Sequence, residues 1–282
     1  MRATTALLAS DLDRTLIYSR RFVTDPATAV CVEIYRGEPI SFMTPGAVER
    51  LTALAATHHV IPATTRTVEQ FTRITLPGAP FRYAVTSNGG TILCDGVADR
   101  AWTAAVFQRI NDTSTPLTDV VAALRARVSD AWVRNFRIAE DLFCYLVVDE
   151  ELLPADFLEA WREWCAPRGW IVSRQGRKIY SVPISLCKSH AVAEVRRRLV
   201  DAGALDASAP LLAAGDGALD AELLESADAA MRPSHGELHA QGWTIPTLTV
   251  TDTAGAAAAK AILDWFAHSV AEKPAREQRA LQ

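Results

Sequence analysis

Short apolar runs alternate with amphipathic stretches along the chain, which is the pattern of a parallel sheet covered by helices. Strands are predicted where apolar runs end in small or polar residues, at 6–9, 58–65, 83–87 and 211–215. Helices are predicted at 68–74, 189–199, 218–225 and 254–268. A further helix is predicted to begin at Pro45, with Thr44 as its N-cap.

Two segments depart from this alternation. Residues 30–35 and 39–43 flank a turn-forming Arg-Gly-Glu sequence, which predicts a hairpin. In the middle of the chain, helical patterns at 116–128 and 154–166 alternate with strand-like runs at 132–138, 142–149, 170–174 and 178–183. This pattern is typical of a partly solvated sheet covered by helices. We therefore expect residues 1–94 and 184–282 to form a core and residues 95–183 to form an inserted α+β domain.

Composition narrows the class of protein. The 282-residue chain is 49% hydrophobic and 22% charged, which is the balance of an ordinary globular protein with a sizeable core. Its formal net charge of −4 predicts no basic surface for nucleic acid or an anionic membrane. No apolar segment approaches the roughly 18 residues that span a bilayer, and the run at 6–9 is too short for a signal peptide.

The five cysteines indicate the redox state of the compartment in which the protein functions. They lie far apart and are odd in number, which argues against a disulfide framework or a zinc site. Free thiols are typical of a reducing environment. We therefore expect a cytoplasmic protein whose partner is neither nucleic acid nor a membrane.

Residues that can carry chemistry follow the predicted strands. In a parallel sheet the carboxyl ends of the strands line the crevice that binds ligands, so these side chains should converge at one edge. One further residue, Lys188, directly precedes the helix that leads to the strand at 211–215. The residues at the strand ends are Asp11, Asp13, Thr64, Thr65, Arg66, Asp216 and Asp220.

Phosphoryl transfer is the chemistry that needs this set. Mg²⁺ prefers oxygen ligands and screens a phosphate ester from an approaching carboxylate, and its predicted ligands are Asp11, Asp13 (through its backbone carbonyl), Asp216 and Asp220. We expect Asp11 to attack phosphorus and form an aspartyl-phosphate. Asp13 would act as general acid and then as general base. The Thr64 hydroxyl and the Lys188 ammonium would hold the non-bridging phosphate oxygens.

Each of these residues alone also has an ordinary structural explanation. Short aspartate motifs arise by chance, a lysine at a helix start is usually solvated, and a threonine after a strand often caps a helix. The order of the motifs along the chain is the stronger signal.

That order resembles the haloacid dehalogenase (HAD) superfamily of phosphatases over residues 5–94 and 184–265. The motifs are DLDRT at 11–15, TTR at 64–66, Lys188 and GDGALD at 215–220. The insertion lies where the Cof-type and sucrose-phosphate-phosphatase-like branches carry a large C2-type α+β cap, and SNGG at 87–90 resembles the turn before that cap. The resemblance implies an α/β fold with a HAD-like Rossmannoid core, and it adds Thr65, Arg66 and Asn88 to the substrate-binding and phosphate-binding set.

A narrower resemblance and three departures qualify this picture. DLDRTLIYS, CVEIYRGEPISFMT and TTRTVEQF resemble a group of actinobacterial HAD proteins encoded near tellurium-resistance-type genes. Arg14 and Thr65 stand where the superfamily usually has glycine, which changes the bulk near the phosphate. Leu219 stands where it usually has asparagine, which removes a polar group near the metal.

The sequence therefore predicts a Mg²⁺-dependent phosphomonoesterase that acts on a small phosphorylated metabolite, with a sugar phosphate implied by the resemblance. A phosphomutase that uses the same aspartyl-phosphate chemistry, or a non-catalytic protein that binds a phosphorylated metabolite, are the alternatives. Five basic residues of the inserted domain either meet a second anionic group of the substrate or form a solvated sheet face. They are Arg134, Arg137, Arg174, Arg177 and Lys178.

Overall fold

A computed structural model describes the backbone of residues 6–280 and the side chains of residues 6–271. The strands are β1 (Leu7–Ser10), β2 (Val30–Tyr35), β3 (Glu38–Met43), β4 (His59–Pro62), β5 (Tyr83–Thr86), β6 (Thr91–Cys94), β7 (Val97–Ala98), β8 (Val133–Ala139), β9 (Phe143–Val148), β10 (Trp170–Gln175), β11 (Lys178–Pro183), β12 (Leu211–Ala214), β13 (Ala229–Arg232) and β14 (Leu248–Val250). The α-helices are α1 (Pro45–Ala55), α2 (Val68–Thr72), α3 (Arg100–Thr113), α4 (Leu117–Arg125), α5 (Phe157–Cys165), α6 (Lys188–Asp201), α7 (Ala221–Ser226), α8 (Glu237–Ala240) and α9 (Ala257–Ala280). Short 3₁₀ turns lie at Arg20–Phe22, Ser87–Gly89, Ala166–Arg168 and Ala218–Asp220.

A five-stranded parallel sheet forms the core, in the order β14-β13-β12-β1-β4. Successive side chains of a strand point to opposite faces. Leu8 accordingly packs in a cluster with side chains of α1 and α9, whereas Leu7 and Ala9 pack with side chains of α6 and α7. Because both faces are covered, the central strands are apolar throughout rather than alternating.

The strand predicted at 83–87 has a different pairing from the one expected. β5 touches the parallel sheet at one bridge, between Ala63 and Val85, and pairs antiparallel with β6 along its length. The turn that follows β5, where Ser87 and Asn88 adopt positive φ angles of 50° and 56°, reverses the chain into β6. On its other side β5 contacts the exit of β4, where the Thr64 N–H donates to the Val85 carbonyl at 2.9 Å.

The sequence pattern misses several elements. In α3 only Val106 and Ile110 are buried, so the helix has a weak apolar period. In β13 the sequence AAMR contains alanines, which have low strand propensity, and its burial between β12 and β14 decides its conformation. The short elements β6, β7, α8 and β14 also lie outside the predicted set.

The inserted segment forms an antiparallel sheet in the order β10-β11-β9-β8. One face is covered by helices: the indole Nε1 of Trp161 on α5 donates to Ser181 Oγ on β11 at 2.8 Å. Val120 and Leu124 of α4 are buried in the same apolar cluster. Within the described range 6–280, no helix is both long and apolar enough to cross a bilayer.

The two chain segments that join the sheets lie side by side. Asn88 Nδ2 donates to the carbonyl oxygen of Leu186 at 2.7 Å. Gly89 has a φ of +98°, and a Cβ at this position would overlap the carbonyl oxygen of Cys187. The backbone of one connection therefore approaches the other too closely for any side chain.

Gly89→Ala should therefore destabilise the protein more than the same substitution at another glycine with a positive φ. Gly96→Ala is the matched control, since Gly96 has a φ of +78° and no atom of the described residues lies within 4 Å of the place its Cβ would take. Both variants carry the cost of a positive φ, about 1–2 kcal/mol. We expect Gly89→Ala to cost at least about 2 kcal/mol more in the free energy of unfolding, because a backbone oxygen cannot move aside as a side chain can. Urea titration of both variants measures this, and equal costs would contradict the close approach.

Candidate active site

The residues that the sequence predicts to carry the chemistry lie together at the carboxyl edge of the parallel sheet. Asp11 directly follows β1, Thr64 follows β4, and Asp216 follows β12, while Lys188 is the first residue of α6. Carboxylate oxygens of Asp11, Asp216 and Asp220 all lie within 4.8 Å of one another, and the three side chains are buried. The strand ends therefore concentrate negative charge at one point.

A buried ammonium group links two of these carboxylates. Lys188 is fully buried, and its Nζ donates to Asp11 Oδ1 at 2.6 Å and to Asp220 Oδ1 at 2.5 Å. Burial opposes the charged form, but the two carboxylates raise the pKa of Lys188 above its ordinary value. The second oxygen of Asp220 accepts from the backbone N–H of Gly217 at 2.9 Å. Asp220 therefore has partners for both its oxygens.

Asp11 is oriented from two sides. Lys188 contacts one carboxylate oxygen, and the Thr15 hydroxyl donates to the other at 3.2 Å. Burial raises the pKa of Asp11 to about 7, with Asp220 adding to the increase and Lys188 opposing it. Asp11 is thus a carboxylate with a fixed position and a large penalty for its charge.

Asp216 lacks such partners. Neither of its buried oxygens has a hydrogen-bond partner among the described side chains and backbone, and the nearest cation, Arg14, has its Nε 3.6 Å from Oδ2. Burial, Asp11 and Asp220 raise the pKa of Asp216 well above its ordinary value. A buried carboxylate without partners is costly. Its oxygens, beside those of Asp11, form a donor set of the kind that a hard divalent cation prefers.

The electrostatic environment of Asp13, unlike that of Asp11 and Asp216, favours the ionised carboxylate. Arg66 donates to both its carboxylate oxygens, from Nε at 2.7 Å and from Nη2 at 2.8 Å. Partial burial opposes ionisation, but the guanidinium holds the pKa of Asp13 well below its usual range. Two carboxylates that are two residues apart therefore differ in the direction of their pKa shifts.

Arg66 is held in turn by a residue that the sequence analysis missed. Its Nη1 lies 2.7 Å from Glu33 Oε2, and Glu33 is buried in the hairpin of β2 and β3. Ser41 on β3 also donates to Glu33, at 2.6 Å. A glutamate in the middle of a strand that buries Val32 was the available signal. In this structure Arg66, a predicted substrate contact, binds Asp13 and Glu33.

The remaining predicted residues line the same edge. Thr64 is fully buried, and its hydroxyl oxygen accepts from the backbone N–H of Arg66 at 3.2 Å. Thr65 is also buried. The Asn88 amide nitrogen donates to the Leu186 carbonyl at 2.7 Å, and its backbone N–H donates to the Thr64 carbonyl at 2.9 Å. Asn88 therefore lies beside Thr64 and also joins the two connecting segments, and its buried Oδ1 has no hydrogen-bond partner among the described residues.

Two of the residues that depart from the superfamily pattern make specific contacts in the structure. Arg14 has a φ of +65°, its carbonyl oxygen accepts from His235 Nε2 at 2.9 Å, and its guanidinium carbon lies 5.4 Å from the centre of the Phe22 ring. Leu219 is buried in the apolar cluster of the inserted domain, although it belongs to the core chain. A leucine at this position therefore packs against the inserted domain, which asparagine would not do.

Two glutamates fasten the inserted domain over the site. Glu237 on α8 accepts from Ser173 Oγ at 2.6 Å and from the backbone N–H of Arg174 at 3.0 Å, both on β10. Glu140, in the turn after β8, accepts from the backbone N–H of Val68 at 2.8 Å and from the Ser87 hydroxyl. The inserted domain thus lies closed over the carboxyl edge of the sheet.

Solved structures with a similar fold include several phosphatases. The sucrose-phosphatase of Synechocystis sp., solved with sucrose and phosphate, aligns with 94% of this chain and 98% of its own, with a TM-score of 0.63 and 17% sequence identity. A HAD subclass IIB sugar phosphatase aligns with 94% of this chain and 100% of its own, with a TM-score of 0.57 and 11% identity. The IMP-nucleotidase of Plasmodium falciparum aligns with 94% of this chain and 68% of its own, with a TM-score of 0.56 and 9% identity.

No protein-family model matches the chain, and no curated protein sequence matches it. At these low identities the structural likeness establishes the fold. The predicted fold class is therefore confirmed: the chain has the HAD fold, with a parallel α/β core and additional sheets and helices inserted as a cap would be.

Proposed function

We propose that this chain is a Mg²⁺-dependent phosphomonoesterase that acts through an aspartyl-phosphate on a small phosphorylated metabolite, in the class of sugar phosphates. The observation that carries the proposal is the buried, unpartnered carboxylate of Asp216 beside the oriented carboxylate of Asp11. The similar structures include a sucrose-phosphatase and a sugar phosphatase, which supports the substrate class.

The cluster suits Mg²⁺. Asp11 and Asp216, with the backbone carbonyl of Asp13, would hold the ion, and Asp220 would support them through Lys188. When bound, the ion would neutralise charge so that an anionic phosphate can approach a carboxylate. It would also supply the partner that the Asp216 oxygens lack.

The chain's own residues would then divide the reaction into two displacements. Asp11 attacks phosphorus, the ester P–O bond breaks, and Asp13 gives a proton to the leaving alcohol. In the second step water attacks the phosphoryl group, Asp13 takes a proton from it, and the Asp11 carboxylate leaves. Lys188 and Thr64 hold the non-bridging oxygens during both steps.

Arg66 would control the protonation of Asp13, the proposed general acid. With no phosphate present, its guanidinium keeps Asp13 ionised. A dianionic phosphate that enters the site competes for this guanidinium, so the pKa of Asp13 rises toward values at which it can donate a proton. Arg66 would thus contact both the acid and the substrate.

The domain roles and the setting remain our proposals. Residues 1–94 and 184–282 would form the catalytic core, and residues 95–183 would form a cap that closes over it. The cysteines for which the structure describes side chains are free thiols, in keeping with a cytoplasmic location. The narrower resemblance to actinobacterial proteins encoded near tellurium-resistance-type genes stays a prediction from the sequence.

A phosphomutase is the alternative that uses the same intermediate. It would pass the phosphoryl group to a second hydroxyl of the substrate instead of to water. Product analysis separates the two, since hydrolysis releases inorganic phosphate and a mutase yields an isomeric phosphate ester. A protein that binds a phosphorylated metabolite without turnover would release neither.

Asp11→Asn tests the nucleophile. An amide does not attack phosphorus, so phosphate release should fall by at least about 10³-fold while the fold is retained. Asp130→Asn is the control, because Asp130 is exposed and the same chemical change is made there away from the site. Phosphate release and circular dichroism of both variants provide the measurement. Residual activity within tenfold of wild type would contradict the covalent scheme.

Asp216→Asn tests the metal site through stability. Folding raises the pKa of the Asp216 carboxyl. The unfolded chain releases this proton near pH 4, so the free energy of unfolding falls as pH rises from about 4 toward the raised native pKa. The amide has no such charge, so the metal-free variant should gain about 1–3 kcal/mol in the free energy of unfolding at pH 8 and less at pH 5.

The same variant should lose the stabilisation that Mg²⁺ gives to the wild type, because the ion binds the native state alone. Thermal unfolding with Mg²⁺ and with EDTA, at both pH values, measures these two effects. Asp130→Asn should show neither. A less stable metal-free variant, or an unchanged response to Mg²⁺, would overturn the assignment of Asp216.

A further inference from the structure

One face of the inserted sheet is turned toward the catalytic edge. Ser173 on β10 donates to Glu237 of the core, and Tyr145 on β9 lies with its hydroxyl 3.5 Å from Gln70 Nε2 on α2. Directly paired residues of antiparallel strands point to the same face. Tyr180 on β11 and Arg137 on β8 are the partners of Tyr145, so they share the core-facing side.

Lys178 belongs to this face as well. It lies two residues before Tyr180 on β11, and residues two apart in a strand point the same way. Its half-buried ammonium lies 5.9 Å from the ring centre of Tyr145 and 6.0 Å from that of Tyr180. The two tyrosine rings therefore form a wall beside a lysine that points into the space between the domains.

The hairpin that carries Lys178 lies directly on the site. A Cβ at Gly217, in the aspartate loop of the core, would overlap Gln175 Nε2. A Cβ at Gly176 would lie 4.0 Å from Arg14 Nη1. The turn between β10 and β11 therefore lies against the loops that follow β12 and β1, and Lys178 is the first residue after this turn.

The basic residues of the inserted domain divide into two groups. Arg134 is paired with Asp149 at 2.7 Å, and Arg174 with Glu150 at 3.2 Å. Lys178, Arg137 and Arg177 form no ion pair with any side chain of the described residues 6–271, and Arg177 lies in the exposed turn before β11. The charge of Arg66 is already balanced by Asp13 and Glu33. Lys178 and Arg137 therefore leave uncompensated positive charge on the face above the site.

We propose that Lys178, with Arg137 about 12 Å away across β9 and two residues along it, binds a second anionic group of the substrate. This inference rests on the proposed function and narrows its substrate class. The substrate would be a phosphate ester whose remaining part carries a carboxylate or a second phosphate. Lys188 and Thr64 serve the transferred phosphoryl group, so Lys178 is available for an anion farther along the molecule.

Matched pairs of substrates test this. Sorbitol 6-phosphate and 6-phosphogluconate are open-chain six-carbon esters that differ by a carboxylate, and fructose 6-phosphate and fructose 1,6-bisphosphate differ by a phosphate. We expect wild type to prefer the member with the additional anion by at least about tenfold in kcat/KM. The pair with the larger preference identifies the second group as carboxylate or phosphate.

Lys178→Met should reduce that preference by about tenfold or more, mainly through KM, because a positioning charge for the ground state is lost. Lys178→Arg should retain most of it. Arg177→Met is the matched control, since Arg177 carries the same charge and lies exposed in the turn between β10 and β11, outside the paired face of the sheet. Equal effects of Lys178→Met on both members of each pair would overturn the inference and place Lys178 on the transferred phosphate.

Failure of the proposed function has a different signature. If wild type hydrolyses none of the four esters, calorimetric binding to the Asp11→Asn protein still compares 6-phosphogluconate with sorbitol 6-phosphate. Tighter binding of the acid that is lost in Asp11→Asn/Lys178→Met would support the second-anion site without hydrolysis. Equal binding of the two esters would overturn the site itself.

Discussion

The contact of Lys188 with Asp11 and Asp220 is the interaction on which the site depends. Three buried carboxylates lie within 4.8 Å of one another, and like charges at that distance in a poorly solvated space repel strongly. The parallel sheet creates the problem, because it brings the ends of β1 and β12 together. The start of α6 relieves part of it with one ammonium group. Asp216 is the carboxylate left without a hydrogen-bond partner, with only the Arg14 guanidinium 3.6 Å away, and this is why the geometry favours a cation beside it.

The same edge of the sheet keeps two neighbouring aspartates in opposite electrostatic conditions. Asp11 is deep and loses hydration, so its pKa rises to about 7. Asp13 receives a bidentate guanidinium, so its pKa falls. Leu12 between them is fully buried and anchors the loop in the core. Groups separated in this way can serve different chemical roles from adjacent positions.

Local sequence predicts the parts of this arrangement that depend on strand ends. Asp11, Thr64 and Asp216 each directly follow an apolar run or its exit, and the parallel sheet brings such positions together wherever it forms. The ion pair of Arg66 with Glu33 lies beyond that reasoning, because it joins the loop after β4 to a hairpin more than 30 residues earlier. No local pattern specifies which acid of a hairpin will be buried.

The inserted domain shows a similar limit. Its strands at residues 132–138, 142–149, 170–174 and 178–183 follow from their patterns and agree closely with β8 to β11. Helix α3 does not, since it buries only Val106 and Ile110, which pack in the apolar cluster of the inserted domain and leave a weak apolar period in the sequence. The role of Leu219 is also non-local, because its side chain packs in the apolar cluster of the inserted domain and the neighbouring sequence does not predict this contact.

Closure of the inserted domain links recognition to chemistry. Glu237 and Glu140 hold it through hydrogen bonds to a strand and to a helix start, and Leu219 adds an apolar contact. These few contacts can break as a substrate enters, since each hydrogen bond to a charged group contributes only about 1.5–3 kcal/mol net. Lys178 faces the site from the hairpin of β10 and β11, and Gln175 of the same hairpin lies against Gly217 of the core. An anion bound by Lys178 would therefore stabilise the closed arrangement, in which Asp11 is buried and Asp13, the proposed general acid, would face the leaving group.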